Sequence, residues 1–186
     1  MIGQLPKSVE VHGEEYALRT DFRDVLKVLC AFNDPDLERS EKVFVCLVIM
    51  YPSFVENGIP KEDFDEAFSR AVEFINGGYG KSKNHPGLMD WEQDASIMFP
   101  AINKVAGFEI RTCEYLHWWT FLGYFMEITD GVFSHVMALR MKRAKGKKLE
   151  KWELEFWNAN KDLCTLKTKL SEEEQAEKDQ LNALLG

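Results

Sequence analysis

The sequence predicts a mainly α protein: a compact multi-helix domain with a small N-terminal β-hairpin. Three observations lead there. Through much of the 186 residues, apolar side chains recur three and four positions apart, the spacing of helices that bury one face. Alternation of apolar and polar residues stands out near the start, where Val9 and Val11 are followed by Tyr16 and Leu18. The apolar fraction is 45%, with thirteen Phe, five Trp and five Tyr, enough to build a core without disulfides or metal. One helical domain is expected over 1–170, followed by a helical tail over 171–186.

The hairpin is read from that alternation and from His12-Gly13, a turn-forming pair between its two halves. Thr20 is the expected cap of the first helix, whose inner face is Phe22, Val25, Leu26, Leu29 and Cys30. A second helix runs from Ser40-Glu41 to Tyr51, where Pro52 stops it. Its run Val43 to Met50 is apolar nearly all round, so it is expected at the centre, with a buried strand as the competing reading. Pro60 suits the first position of a third helix with Phe64, Ala67, Phe68, Ala71, Val72 and Ile75 inside, ended by Gly77-Gly78. The stretch from Gly77 to Gly87 reads as a loop. Asp90 is the expected cap of a fourth helix that buries Trp91, Ala95, Met98 and Phe99 and is kinked or broken at Pro100. Tyr115 to Ile128 predicts a buried central helix. A sixth helix after Gly131 carries Val132, Phe133, Val136, Met137 and Met141 inside, and a last helical region spans Lys148 to Leu170. Ser171 with Glu172, Glu173 and Glu174 marks the start of the tail helix.

Net charge is −8 and the pI about 5.1, which favours solubility and argues against a general nucleic-acid binder. Cys30, Cys46, Cys113 and Cys164 lie far apart within apolar or helical patterns and read as buried free thiols of a reducing compartment. Residues 1–19 lack a basic apolar leader, and the longest apolar run is far shorter than the roughly 20 residues that span a bilayer. A soluble protein of the cell interior is expected, with no membrane association.

Four constellations invite a chemical reading. Gly80-Lys81-Ser82 resembles the end of a phosphate-binding loop, but Ile75 occupies the place of its first glycine and the segment follows a helix. A surface loop is the better reading. Asp90, Glu92 and Asp94 offer carboxylates for acid–base or metal chemistry, yet lack accompanying histidines at ligand spacing, which favours capping and surface charge. His117, inside Leu116-His117-Trp118-Trp119, has no visible nucleophile or orienting partner. It is expected on the central helix, buried and paired with a polar side chain from another helix, Asp94 being one candidate. The basic run Arg140, Lys142, Arg143, Lys145, Lys147, Lys148, with Trp152 beyond, either compensates a helix C-terminus or contacts phosphates or an acidic protein surface, the acidic balance elsewhere favouring the protein.

Leu5-Pro6 before the hairpin, Thr20-Asp21-Phe22-Arg23, Asp90-Trp91-Glu92-Gln93-Asp94-Ala95, Leu116-His117-Trp118-Trp119-Thr120-Phe121 and Arg140 occur in an order and at distances that resemble the bacteriophage gene-product-fifteen family. The likeness runs from about Leu5 to Arg143. Trp91 stands where that family more often has Phe, and Pro100 falls in a helix the likeness would continue. Asp90, Trp91, Asp94, His117, Trp118, Trp119 and Arg140 are then the structural motif.

The resemblance implies a protein of tailed phages and prophages of Gram-positive bacteria, encoded among tail genes just ahead of the tape-measure gene. From that position it implies a tail assembly chaperone, without catalysis or cofactor, acting in the cytoplasm of the bacterial host. The expected partners are the tape-measure protein and tail-tube proteins, with no nucleic acid. Arg143, Lys147, Trp152 and Trp157 are the candidate contacts, in a groove that Phe125, Met126, Met137 and Met141 would extend, although ordinary core is the favoured reading of most of these aromatic and Met positions. The rival readings are a structural tail component kept in the virion, and a nucleotide- or metal-binding enzyme.

Overall fold

The structure is a computed structural model that describes residues 3–56, 58–78, 87–167 and 169–171, with 174, 176 and 179. The Gly80-Lys81-Ser82 loop and nearly all of the tail lie outside the described residues.

Strands β1 (Ser8–Val11) and β2 (Glu14–Ala17) pair antiparallel, with Val9 opposite Tyr16 and Val11 opposite Glu14. His12 and Gly13 both have positive φ, 47° and 89°, which is what a two-residue turn needs to match the strand twist. The hairpin docks through Val11, fully buried, and through Tyr16, edge-on to Tyr51.

Helix α1 (Phe22–Phe32) is capped by Asp21, whose carboxylate accepts the Arg23 N–H; the expected cap, Thr20, instead bonds through its hydroxyl to Tyr115 at 2.7 Å. Asp has the longer reach to an amide two residues on, which frees Thr20 for the tertiary contact. Helix α2 (Arg39–Met50) starts with a Glu38–Glu41 capping box. It is neither a strand nor central: Cys46, Leu47 and Met50 are buried, while Phe44 is 54% exposed. Pro52 ends α2 and opens the short α3 (Pro52–Glu56), since proline fits a first helical position. Pro60 precedes a 3-10 turn (Lys61–Asp63) instead of opening the helix itself; α4 (Phe64–Ile75) follows, burying Ala67, Ala71, Phe74 and Ile75.

Trp91–Asp94 form turns, and α5 (Ala95–Ala106) begins only after them. Pro100 sits inside α5 without breaking it. A 3-10 turn (Ile110–Thr112) and an extended stretch lead to α6 (Trp118–Met126), shorter than the Tyr115–Ile128 helix expected. Helix α7 (Gly131–Ala144) buries Phe133, Val136, Leu139 and Arg140, whereas Val132 is 49% exposed, contrary to its expected inner position. The last region is two helices, α8 (Lys151–Ala159) and α9 (Lys161–Cys164), then extended chain.

Side chains from the hairpin and from α1, α2, α4, α5, α6 and α7 form the main core, centred on Phe22, Leu47, Met50, Met98, Ile102, Trp118 and Phe121. A second, smaller cluster holds Val136, Leu139, Trp157 and Cys164; Ile97 and Met137 touch both.

Candidate functional site

Arg140 sits at 6% side-chain exposure against Asp94 at 2%, and the two meet as a bidentate pair with both N–O distances 2.8 Å. The guanidinium also donates to the carbonyls of Leu88 (2.9 Å), Leu163 (2.5 Å) and Cys164 (3.0 Å). Every N–H of the side chain is thereby used, and one residue of α7 fastens the segment before α5 to the end of α9.

The neighbouring acids work the same way. Asp94 accepts the Asp90 N–H at 2.9 Å, and Asp90 accepts the Glu92 and Gln93 N–H groups at 3.0 and 2.9 Å. Burial pushes the Asp90 carboxyl up, but the Gln93 N–H and the Lys169 ammonium outweigh it and hold the group below the usual carboxylate range. Lys169 bridges Asp90 and Glu92, and Gln93 exchanges two hydrogen bonds with the backbone of Lys167. Among the described residues, no group of three or more His, Cys, Asp or Glu is placed to hold a metal ion.

His117 is buried as expected, but it does not meet Asp94. It is the N-cap of α6: Nδ1 accepts the Trp119 N–H at 3.0 Å, and Nε2 donates to the Pro6 carbonyl at 2.8 Å. Those two bonds fix a neutral tautomer with the proton on Nε2. Its two partners are backbone groups because residues 115–117 run extended beside 20–22: Trp118 N–H donates to Thr20, and Phe22 N–H to Leu116. Asp21 also accepts the Leu116 N–H, and Arg23 donates to the Arg111 and Cys113 carbonyls. The indole N–H groups of Trp118 and Trp119 donate to the last carbonyls of α4, Ile75 and Phe74, at 2.7 and 2.9 Å. Gly78, at φ 73°, lets the chain turn beneath Trp119, which a Cβ would touch at 3.4 Å. Trp91 packs against Trp118, Phe121 and Phe125.

All seven motif residues therefore lie in packed joints. A basic and aromatic accessible surface lies where α7 ends and α8 begins. Gly146, at φ 66°, closes α7 with Lys147 N–H on the Lys142 carbonyl. Glu150 and Glu153 then cap α8 reciprocally. Lys142 reaches the buried Glu153 carboxylate and lowers its pKa, helped by the Glu150 N–H. Trp152 is 58% exposed and stacks on His135, with Phe156 edge-on to the same imidazole. Arg143 lies over Trp157 at 4.4 Å, beside a cleft of about 240 Å³ walled by Leu88, Ala144, Cys164 and Thr165.

Of the candidate groove residues, Trp157 lies in the core, the favoured alternative for it: it is buried, with Arg143 over its ring, and it lines the cleft. Phe125, Met137 and Met141 are half-buried, and Met126 is exposed on α6. Arg143, Lys147 and Trp152 are exposed and close together in the chain. Sequence reasoning missed His135 and Glu153. The Glu150-x-x-Glu153 spacing could have revealed the second; no local pattern announces the first.

Fold and site together define a mainly helical domain with an N-terminal hairpin, locked by buried polar joints and carrying a basic, aromatic surface between α7 and α8. The chain belongs to the bacteriophage Gp15 protein family, whose model matches residues 1–166. No curated protein and no solved structure matches it significantly.

Proposed function

We propose that this phage protein is a tail assembly chaperone without catalysis, which binds the tape-measure protein in the host cytoplasm while tail-tube subunits polymerise. The tail role follows from the family's place among tail genes, ahead of the tape-measure gene. The observation that carries the binding role is Trp152, a large aromatic held 58% exposed and fixed in place by its stack on His135. A rigid exposed aromatic is the usual anchor of a protein interface. Val132, one helical turn before His135, extends the apolar surface along α7. The absence of catalysis is supported by the uses of the candidate groups: Asp90, Glu92, Asp94 and His117 are each bonded to backbone, to Arg140 or to Lys169.

The test is co-expression with the tape-measure protein encoded beside it, scoring tape-measure solubility and co-purification. The expected result is a soluble complex that Trp152→Ala weakens. An insoluble tape measure and no complex, with both proteins well expressed, overturns the reading. Abundant peptides of this protein in purified virions would replace it with a structural tail role.

A further inference from the structure

Between Arg140 and Lys151 the chain carries seven Lys or Arg and a single acid, Glu150, in a protein of net charge −8. Arg140 and Lys142 are consumed internally by Asp94 and Glu153. Among the described residues, no carboxylate pairs with Arg143, Lys145, Lys147, Lys148 or Lys151. Elsewhere Arg23, Arg70 and Arg111 are each bonded to a carboxylate although they too reach the surface, and, among the described residues, the cations without one, such as Lys7, Arg39 and Lys61, are dispersed along the chain instead of gathered in one run.

The fold does not ask for these charges. Lysines in the last turn of α7 favour its C-terminal dipole, which accounts for Lys142 and Arg143. Lys148 and Lys151 lie at the opposite kind of end, the N-terminus of α8, where positive charge opposes the dipole. Helix capping there is already supplied by Glu150 and Glu153. Five exposed cations without a carboxylate partner therefore lie along the chain from the end of α7 to the start of α8, followed directly by exposed Trp152, with Arg143 already oriented by its stack on Trp157.

We infer that this surface receives an acidic amphipathic helix of the partner protein, its carboxylates facing Arg143, Lys145, Lys147, Lys148 and Lys151 and an apolar side chain resting on Trp152. The inference rests on the chaperone reading and specifies the chemistry of the segment recognised. Charge complementarity selects the acidic partner, and the Trp152–His135–Val132 strip selects an apolar stripe over a bare polyanion. Arg143, whose guanidinium edge is open beside the α7–α9 cleft, suits a carboxylate side chain of that helix.

The experiment uses the full chain and two labelled helical peptides with the same leucine stripe, one flanked by Glu and one by Lys, with binding read by fluorescence anisotropy. The Glu peptide should bind, weaken with added salt, and lose about tenfold or more in affinity to the triple variant Lys145→Glu, Lys147→Glu, Lys148→Glu, whose melting curve controls for folding. Trp152→Ala should cost about tenfold, as an interface anchor does. Equal binding of the Lys peptide, no binding of the Glu peptide, or an undiminished triple variant overturns the inference, as does tighter binding of duplex DNA. The triple variant also separates the two readings. If it still solubilises the tape measure, the chaperone role stands and the acidic-helix assignment falls. If the Glu peptide binds the native chain but the tape measure is not rescued, the assignment stands and the chaperone role falls.

Discussion

Arg140 has five N–H donors, and the fold gives all of them an acceptor: two carboxylate oxygens of Asp94 and three backbone carbonyls. Removing one member of such a buried pair leaves the other charged and unpaired, at a cost of about 3–5 kcal/mol. Arg140→Met should lower stability by that order in urea unfolding. Arg140→Lys should rescue little, because an ammonium has three donors and no planar fork. A Lys variant within about 1 kcal/mol of the native protein would show that charge alone matters. Asp90 makes a pH prediction. Its pKa is depressed in the folded state, so it stabilises the fold above the unfolded carboxylate value and that contribution fades as pH falls through the folded one. Asp90→Asn should flatten the fall in stability below about pH 4, measured by thermal melts across acid pH; an unchanged acid limb would remove Asp90 from the account. The sequence marks Asp94, His117 and Arg140 but not their pairing. Asp94 lies 23 residues before His117 and 46 before Arg140, and nothing local tells which one the fold brings to it. Arg140 is also camouflaged by the basic run that follows it.

At the scale of elements, periodicity reveals most helices, because a buried face repeats whatever it packs against. It fails where termini decide. Residues 115–117 belong to an apolar run yet are extended, since pairing with residues 20–22 satisfies their backbone and leaves His117 to cap α6. Val43 to Met50 reads as central because it is apolar all round, yet Phe44 faces outward, a position that nothing in the pattern distinguishes. Pro100 is the clearest departure. It stands in the second turn of α5, exposed, where it has no N–H to offer the carbonyl of Ser96. The helix persists because Met98 and Ile102, fully buried, hold it on the core. Pro100→Ala restores one hydrogen bond and a better helix former, at the cost of a less restricted unfolded chain. A net gain of about 1–2 kcal/mol is expected, read as a higher urea midpoint at unchanged slope. A lower midpoint would mean that the surrounding structure has adapted to the proline.

At the scale of the molecule, the two apolar clusters are unequal and joined narrowly. The main one unites the hairpin with most of the helices; the second has four buried residues, Val136, Leu139, Trp157 and Cys164, with Leu149, Phe156 and Leu163 packed half-buried against them. Ile97 and Met137 connect them, and the Asp94–Arg140 joint ties α9 to the segment before α5. A cluster of four buried residues contributes little apolar area, so the docking of α8 and α9 leans on polar and aromatic ties, the Asp94–Arg140 joint the most deeply buried of them beside Lys142–Glu153 and the His135 stack. Such a unit should open as a body at lower free energy than the core. Hydrogen exchange followed by mass spectrometry should therefore find amides of α8 and α9 exchanging before those of α1, α5 and α6 in the native protein. In Asp94→Asn the gap should widen, with α8 and α9 losing protection while α1 keeps it. The proposed binding surface lies at the junction of α7 with this less stable unit, so a bound partner helix should slow exchange in α8 beyond the residues it covers. Uniform exchange across all helices, unchanged by Asp94→Asn, would show instead that the two clusters unfold as one.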